Sequence, residues 1–387
     1  MLLSSPLTHS DWLMHAEAPA WGAAGIRTML ERCRDWGWSR IYWRVFDCGR
    51  ALYHSRLLDP MKYATDPDPN CLTTGELAAQ APPDLVARAM ALDYAGTDTL
   101  ADAVRIGHEL GLEVHAWLTI NEDDHGWGWP SRFTVAHPEC RWVRRDGRRY
   151  HSQLSFAFAE VQQYKLELVR ELLAYPVDGL LLDWIRTGDI RDNPQNDQDG
   201  VADYGYEAPL VESYRAHHVR DPRDGANGEE DWVRWRAEPI TAFMRGVRHE
   251  VQEHARRPRL AAMVHHRWAY RGLPAEGPID GSLRGILCDI RTWAREGLVD
   301  ELVAAGYYRD GGTPEAGYRW LAEETEGRVP LWLYAWVPQE EADLVRDLAL
   351  AQRLDAAQIL FWEADYIDLR PAEKAGLLSA AMRQAAG

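Results

Sequence analysis

Three things that would narrow the chain's class at once are scarce in it: paired cysteines, an excess of positive charge, and a long apolar run. Its five cysteines, at 33, 48, 71, 140 and 288, include no C-x-x-C pair. That excludes a disulfide framework and a zinc ribbon, and reads most simply as free thiols. The net charge is −17, from 43 basic against 60 acidic residues, and phosphate backbones require a positive surface, so no nucleic-acid partner is expected. Brief basic clusters such as Arg141-Trp-Val-Arg-Arg-Asp-Gly-Arg-Arg149 read as decoration of a turn. No stretch approaches a membrane span, and Met1-Leu-Leu-Ser-Ser-Pro-Leu-Thr-His9 has neither the positive start nor the apolar middle of a secretion signal. The expectation is a cytoplasmic protein without a membrane partner; the acidic balance favours solubility and carries no signature of oligomeric state. Phenylalanine is scarce too, 6 against 18 tryptophans. A core needing bulk alone would use Phe freely, because a buried indole needs a partner for its N–H. Flat rings with one polar edge suit sugars, whose C–H faces are apolar and whose rims are hydroxyl-rich.

With 387 residues, 46% of them hydrophobic, the chain can bury a substantial core. After residue 11, short apolar strands alternate with amphipathic helical stretches, the pattern of βα units. The strands read as Trp12–His15, Arg40–Phe46, Glu113–Ile120, Gly179–Trp184, Arg259–His265, Glu301–Tyr308, Pro330–Trp336 and Gln358–Glu363. The helices read as Ala24–Trp36, Leu100–Leu110, Glu160–Ala174, Glu230–Ala255, Asp289–Gly297, Pro314–Glu326, Pro338–Arg353 and Pro371–Gln384. Eight strands each followed by a helix predict an α/β fold, a single (β/α)8 TIM barrel over residues 1–387, and no linker divides it. Long βα loops, roughly 47–99, 121–159 and 187–229, follow strands two, three and four, while returns to the next strand are short. All the elaboration therefore falls on one face, where such loops wall a cleft for an extended ligand.

Within that frame Asp178-Gly-Leu-Leu-Leu-Asp-Trp-Ile-Arg186 is the most informative segment. Three leucines in a row predict a strand buried on both faces, and nothing in a packed interior asks for Asp183. A charge there needs a solvated or catalytic cavity, and Arg186, with Arg44 from strand two, would favour its ionised form.

Several stretches resemble the glycoside-hydrolase-like family 10 proteins, TIM barrels of presumed carbohydrate activity. Tyr42-Trp-Arg-Val-Phe-Asp-Cys-Gly-Arg-Ala-Leu-Tyr-His-Ser55 is similar to that family's second strand and its G-x-A-x-Y-x-S turn. Val114-His-Ala-Trp117 resembles the third strand, His137-Pro-Glu139 the segment after it, Val177–Arg186 the motif V-D-G-I-H-L-D-Y-I-R, and Asp231-Trp-Val-Arg-Trp-Arg236 the W-x-x-W-R helix start. The resemblance covers about residues 10–265 well and the last third only by element order. It departs at Leu181, where the family carries His. The same segment is similar to the D-G-x-D-x-D-W-E of family 18 chitinases, but Ile185 stands where their catalytic Glu would be, so their mechanism does not carry over.

Glycoside hydrolysis uses two carboxyl groups, one to protonate the leaving oxygen and one to attack carbon or activate water. Asp183 is the candidate for the ionised member. For the acid, Glu363 after Ile359-Leu-Phe-Trp362 and Asp310 after Tyr307-Tyr308 are the main candidates, with Glu122 and Asp123 after strand three as further options. Trp43, Trp117, Trp184, Trp336 and Trp362, with Tyr308, lie at strand ends and are expected to hold the sugar, while His115, His265 and His266 are placed to bond its hydroxyls. This reading needs no cofactor and takes a carbohydrate as partner. Two rivals stand beside it. A metal-dependent amidohydrolase-like barrel would need His-x-His on strand one, where His9 and His15 are too far apart, and a His on strand six, which has none. A non-catalytic barrel would keep the aromatic cleft and bind glycans without cleaving them.

Overall fold

The computed structural model describes residues 2–7, 20–47, 49–61, 91–121, 123, 131–183, 204–265, 287–305, 313–336, 341–356 and 358–362. In chain order the elements are β1 (Leu2–Leu7), α1 (Ala23–Asp35), β2 (Arg40–Arg44), β3 (Phe46–Asp47), β4 (Arg50–Ala51), α2 (Thr99–Glu109), β5 (Glu113–Thr119), α3 (Arg132–Ala136), β6 (Arg141–Val143) and β7 (Arg149–Leu154). There follow α4 (Ala159–Leu173), β8 (Gly179–Asp183), α5 (Ala208–His218), α6 (Glu230–Glu253), β9 (Arg259–His265), α7 (Ile290–Glu296), β10 (Glu301–Ala305), α8 (Pro314–Thr325), β11 (Leu331–Trp336), α9 (Glu341–Arg353) and β12 (Gln358–Trp362).

The strand order β1-β12-β11-β10-β9-β8-β5-β2 closes on itself, with every neighbour parallel. Closure is made by β1, which pairs Leu2 with Gln358 on one side and Ser4 with Arg40 on the other. This corrects one sequence expectation. The first strand is Leu2–Leu7, while Trp12–His15 lies outside the described residues. Leu2–Leu7 reads poorly as a barrel strand because it holds two serines and Pro6, which offers the ladder no N–H. Helix starts follow the expected chemistry: Asp98, Asp289 and Thr313 each accept a backbone N–H from the first turn they precede, and Pro314 opens α8. The expected helix Pro371–Gln384 lies outside the described residues.

Strand alternation sorts the side chains into two cores. Tyr42, Trp117, Leu181, Ala261, Met263, Val303, Trp332, Tyr334 and Leu360 pack together inside the ring. Ile41, Trp43, Val114, Ala116, Leu180 and Leu182 belong instead to the larger core shared with the helices. The three leucines of β8 thus face both ways, which explains a run with no polar member. Gly179 begins that strand beside His115, and a Cβ there would stand 2.3 Å from His115 Nδ1 and 2.7 Å from the Arg259 carbonyl oxygen. The glycine of the D-G pair is therefore a steric requirement.

At the amino end of the strands, charge fills the barrel. Arg40 donates to Glu301 at 2.5 Å, to Glu113 at 2.7 Å and to the Tyr42 hydroxyl at 3.2 Å. Glu301 also accepts from the Trp332 indole at 3.1 Å and from Arg259 at 3.2 Å. Burial opposes the guanidinium's charge, but Tyr42, Glu301 and Glu113 outweigh it and raise its pKa. The His115 contact chiefly, with Arg40 behind it, holds Glu113 at about 2 against the cost of burial. A buried pair of this kind is costly to break singly and cheap to replace whole. Glu301→Gln alone is expected to cost about 3–5 kcal/mol in urea unfolding, and Arg40→Met combined with Glu301→Leu less than either single change; strict additivity of the two would show that they are not coupled.

Candidate active site at the carboxyl ends of the strands

Trp117 occupies the upper interior of the ring, and the other groups of the site arrange themselves around it. Its indole N–H donates to Asp183 Oδ2 at 3.0 Å. The Arg44 guanidinium carbon lies 5.1 Å from its ring centroid, a stacking distance. Trp362 meets it edge-on at 5.2 Å, and Tyr334 lies 6.0 Å beyond Trp362. Arg44 in turn donates to the Phe46 carbonyl at 3.2 Å and to Asp47 Oδ1 at 2.8 Å. Strands β2, β3, β5, β8, β11 and β12 thus bring one carboxylate, one ion pair and three aromatic rings to the same end of the barrel.

Asp183 ends β8 on the inner face, where the sequence placed it, but it is only 1% exposed. The expectation of a carboxylate standing in a solvated cavity is not met at this residue. Solvent reaches the Arg44–Asp47 pair instead, at 23% and 18% side-chain exposure.

Two other candidates lie elsewhere than expected. Trp43 is fully buried and faces the helices, with its indole N–H on Thr99 Oγ1 of α2 at 3.2 Å. One residue of strand parity separates it from Tyr42 and Arg44, which face inward. His115 does face inward but sits low in the barrel, wholly buried and edge-on to Tyr42 at 5.3 Å, in register with Gly179 at the start of β8. Desolvation chiefly, with the Arg40 charge, lowers its pKa, so it is a neutral filler rather than a group at the mouth.

His265 and Trp336 are the last residues of β9 and β11. Glu363, Asp310, Glu122, Trp184, Arg186, Tyr308 and His266 lie outside the described residues. Among the described residues, no group of three or more His, Cys, Asp or Glu is placed to hold a metal ion.

Asp123, considered as an acid, is instead a structural anchor. It is fully buried, with Lys165 Nζ of α4 at 2.9 Å, the Tyr164 hydroxyl at 3.3 Å, and Ser131 and Thr134 as further donors. Two more buried acids fix the neighbouring loops. Glu171 of α4 accepts from Tyr53 at 2.7 Å, Ser55 at 2.6 Å and the Arg56 backbone N–H at 2.7 Å, so the Tyr and Ser of the G-x-A-x-Y-x-S turn serve to fasten that turn. Glu207 accepts the Val143 N–H at 2.8 Å and so ties the segment before α5 to β6. Arg236, from the W-x-x-W-R start, binds the Tyr204 and Asn227 carbonyls at 2.7 and 2.6 Å and packs against Gly205, where a Cβ would lie 2.5 Å from its Cδ.

Sequence reasoning missed Asp47, Tyr334, Glu171, Lys165 and Glu207. For Asp47 and Tyr334 a signal existed: Asp47 lies three residues past Arg44, and Tyr334 shares the parity of Trp332 on β11. For the buried acids nothing in the sequence distinguished them from surface charge.

A closed ring of parallel strands with helices outside it is a TIM-barrel-like α/β fold. The sequence pattern of glycosyl hydrolase-like 10 proteins matches residues 84–330, and the chain belongs to that family. No curated protein matches it. Among solved structures it is similar to the catalytic domain of β-amylase from Paenibacillus polymyxa, with 10% identity over 100% of this chain and 98% of that one and a TM-score of 0.64. It is also similar to β-galactosidase from the psychrophilic Marinomonas ef1, with 12% identity, 99% and 59% coverage and a TM-score of 0.58. A third similar structure is α-L-fucosidase isoenzyme 2 from Paenibacillus thiaminolyticus, with 13% identity, 99% and 49% coverage and a TM-score of 0.55. At such identities the likeness is one of fold.

Glu207 yields a pH prediction. Burial pushes its carboxyl up to about 7, against the opposing Val143 N–H and Arg236 charge. A folded-state value above the ordinary 4.5 means that the folded chain holds the proton more tightly. Its stabilising share is therefore complete below about pH 4.5 and is lost as pH rises to about 7. Glu207→Gln is expected to remove this slope, so its unfolding midpoint should change less than the wild type's between pH 5 and pH 8. Parallel curves would refute the assignment.

Proposed function

We propose that the protein is a glycoside hydrolase acting on an oligo- or polysaccharide, with Asp183 as one of a carboxylate pair at the carboxyl face of a complete (β/α)8 barrel whose eighth helix is Pro371–Gln384. The observation that carries this reading is the Trp117–Asp183 contact. The carboxylate that ends β8 is held by an indole of the neighbouring strand at the carboxyl end of the ring. Glycosidic cleavage passes through an oxocarbenium-like state, and a fixed carboxylate withdrawn from water stabilises that positive charge far better than a solvated one. The second carboxylate is Glu363, immediately after Trp362, with Asp310 and Glu122 as alternatives. Trp362, Trp117 and Tyr334, together with Trp184, Trp336 and Tyr308, supply apolar faces for the sugar, and Arg44, Arg186 and His265 its polar contacts. Family membership supports the substrate class, and no cofactor is required.

One observation favours a second reading, a barrel that binds glycans without cleaving them: the near-complete burial of Asp183. A single experiment separates the two. Wild type and Asp183→Asn are screened on a panel of oligosaccharides with reducing-end detection and on a glycan array. The hydrolase reading expects wild-type cleavage that falls on the order of 10³-fold in the variant while glycan retention persists, and chelator treatment without effect. Retention without cleavage by wild type would establish the binding reading; cleavage unchanged in the variant would remove Asp183 from the chemistry.

A further inference from the structure

We propose that Asp47, together with Arg44, is the substrate-orienting pair of this site, a carboxylate that accepts and a guanidinium that donates, gripping adjacent hydroxyls of one sugar ring laid over the Trp117–Trp362 corner. The nature of the ligand rests on the glycosidase reading; the pair itself rests on geometry.

The first support is a gradient of exposure around Trp117. Asp183, which accepts its indole N–H, is 1% exposed and Trp117 itself 6%, while the Arg44 and Asp47 side chains reach 23% and 18%. A ligand approaching this cluster meets the ion pair before the buried carboxylate.

The second support is energetic. A partly exposed ion pair three residues apart adds little to folding stability, so stability alone explains the pair poorly. The chain nevertheless invests heavily in fixing its position. Asp47 lies on the β3–β4 hairpin, paired with Arg50. That hairpin is joined to the barrel through Val45 N–H to the Trp117 carbonyl at 3.1 Å and Leu52 N–H to the Val45 carbonyl at 3.0 Å. Just beyond it, Tyr53, Ser55 and Arg56 are gripped by buried Glu171. Such rigid support is what a binding group needs if its geometry is not to be paid for on each encounter.

The third support is chemical fit. A guanidinium whose centre lies 5.1 Å from an indole centroid sets N–H donors beside an apolar surface. A pyranose has the complementary layout, with C–H bonds on its face and hydroxyls at its rim. Adjacent hydroxyls each offer one donor and two acceptor positions, which a carboxylate and a guanidinium side by side satisfy together.

The test uses Asp47→Asn and Arg44→Lys, both close in shape to the originals, on the oligosaccharide that wild type cleaves in the screen and on the glycan array. Losing a hydrogen bond to a charged group corresponds to about 10- to 100-fold in binding. In both variants KM is expected to rise by about that factor while kcat falls far less, with the unfolding midpoint within a degree or two of wild type. Asp183→Asn should show the opposite split, loss of kcat with retained binding. If wild type retains glycans without cleaving them, the hydrolase reading fails, and loss of retention in Asp47→Asn still upholds the pair. Unchanged KM and retention in the two variants overturn the proposal with the hydrolase reading intact. Lost retention matched by a large drop in unfolding midpoint also overturns it, in favour of a structural role. An array blank for wild type overturns both.

Discussion

A parallel sheet closed on itself has an interior only wide enough for side chains, and everything else in this protein follows from how eight strands fill it. Each strand must hide two faces, one against the helices and one against the other seven. At the amino end the inner face is filled by charge, with Arg40 set among Glu301, Glu113, Tyr42 and Trp332. In the middle it is apolar, through Leu181, Ala261, Met263, Val303 and Leu360. At the carboxyl end it becomes polar and aromatic again, with Trp117 joining both regions. The apolar layer isolates the two charged ends, so each must settle its own charge locally.

Once closed, the barrel needs its long βα connections held down, and the same device recurs three times. A buried acid reaches a loop that would otherwise be loose: Asp123 engages Lys165 of α4, Glu171 of α4 seizes the turn after β4, and Glu207 catches the Val143 N–H of β6. Two of these converge on α4, the helix between β5 and β8, the strands that carry Trp117 and Asp183. The loops following β2 and β5 are thereby referenced to one rigid element. Burying these carboxylates is costly unless each is fully hydrogen-bonded. Asp123 and Glu171 have three or more donors apiece, whereas burial of Glu207 outweighs its donors and raises its pKa.

The ring of strands was legible in the sequence because its signal is redundant. Apolar runs, helix caps and the short returns all point to βα units, and seven of the expected strands overlap those of the structure. Leu2–Leu7 was illegible because closure, rather than composition, makes it a strand: its partners on β2 and β12 supply what its own serines and proline do not. The neighbourhood of Asp183 and Trp117 at the carboxyl end of the strands was legible, because Asp183 interrupts an apolar run, but its burial was not. It was misread at Trp43 and His115 because proximity to a strand end was taken as proximity to the mouth. Parity and height within the barrel decide that, and a single step along the strand turns Trp43 toward α2 while two steps down sink His115 beneath Trp117. Asp47 went unseen because its significance depends on Arg44 lying over an indole contributed by another strand.

The balance of charge at the carboxyl end bears on what the site can do. Among the described residues, two carboxylates, Asp47 and Asp183, accompany the single guanidinium of Arg44 around Trp117. Arg44 and Asp47 are partly exposed and paired with each other, while Asp183 is almost wholly buried and accepts an indole N–H. The two acids therefore differ in environment, one paired to a cation at the rim and one desolvated within. A division of labour between carboxylates requires such a difference, because acids in identical surroundings would titrate alike. The arrangement suits a ligand that brings hydroxyls to the partly exposed Arg44–Asp47 pair. It suits an anionic ligand poorly, since that would have to compete with Asp47 for Arg44.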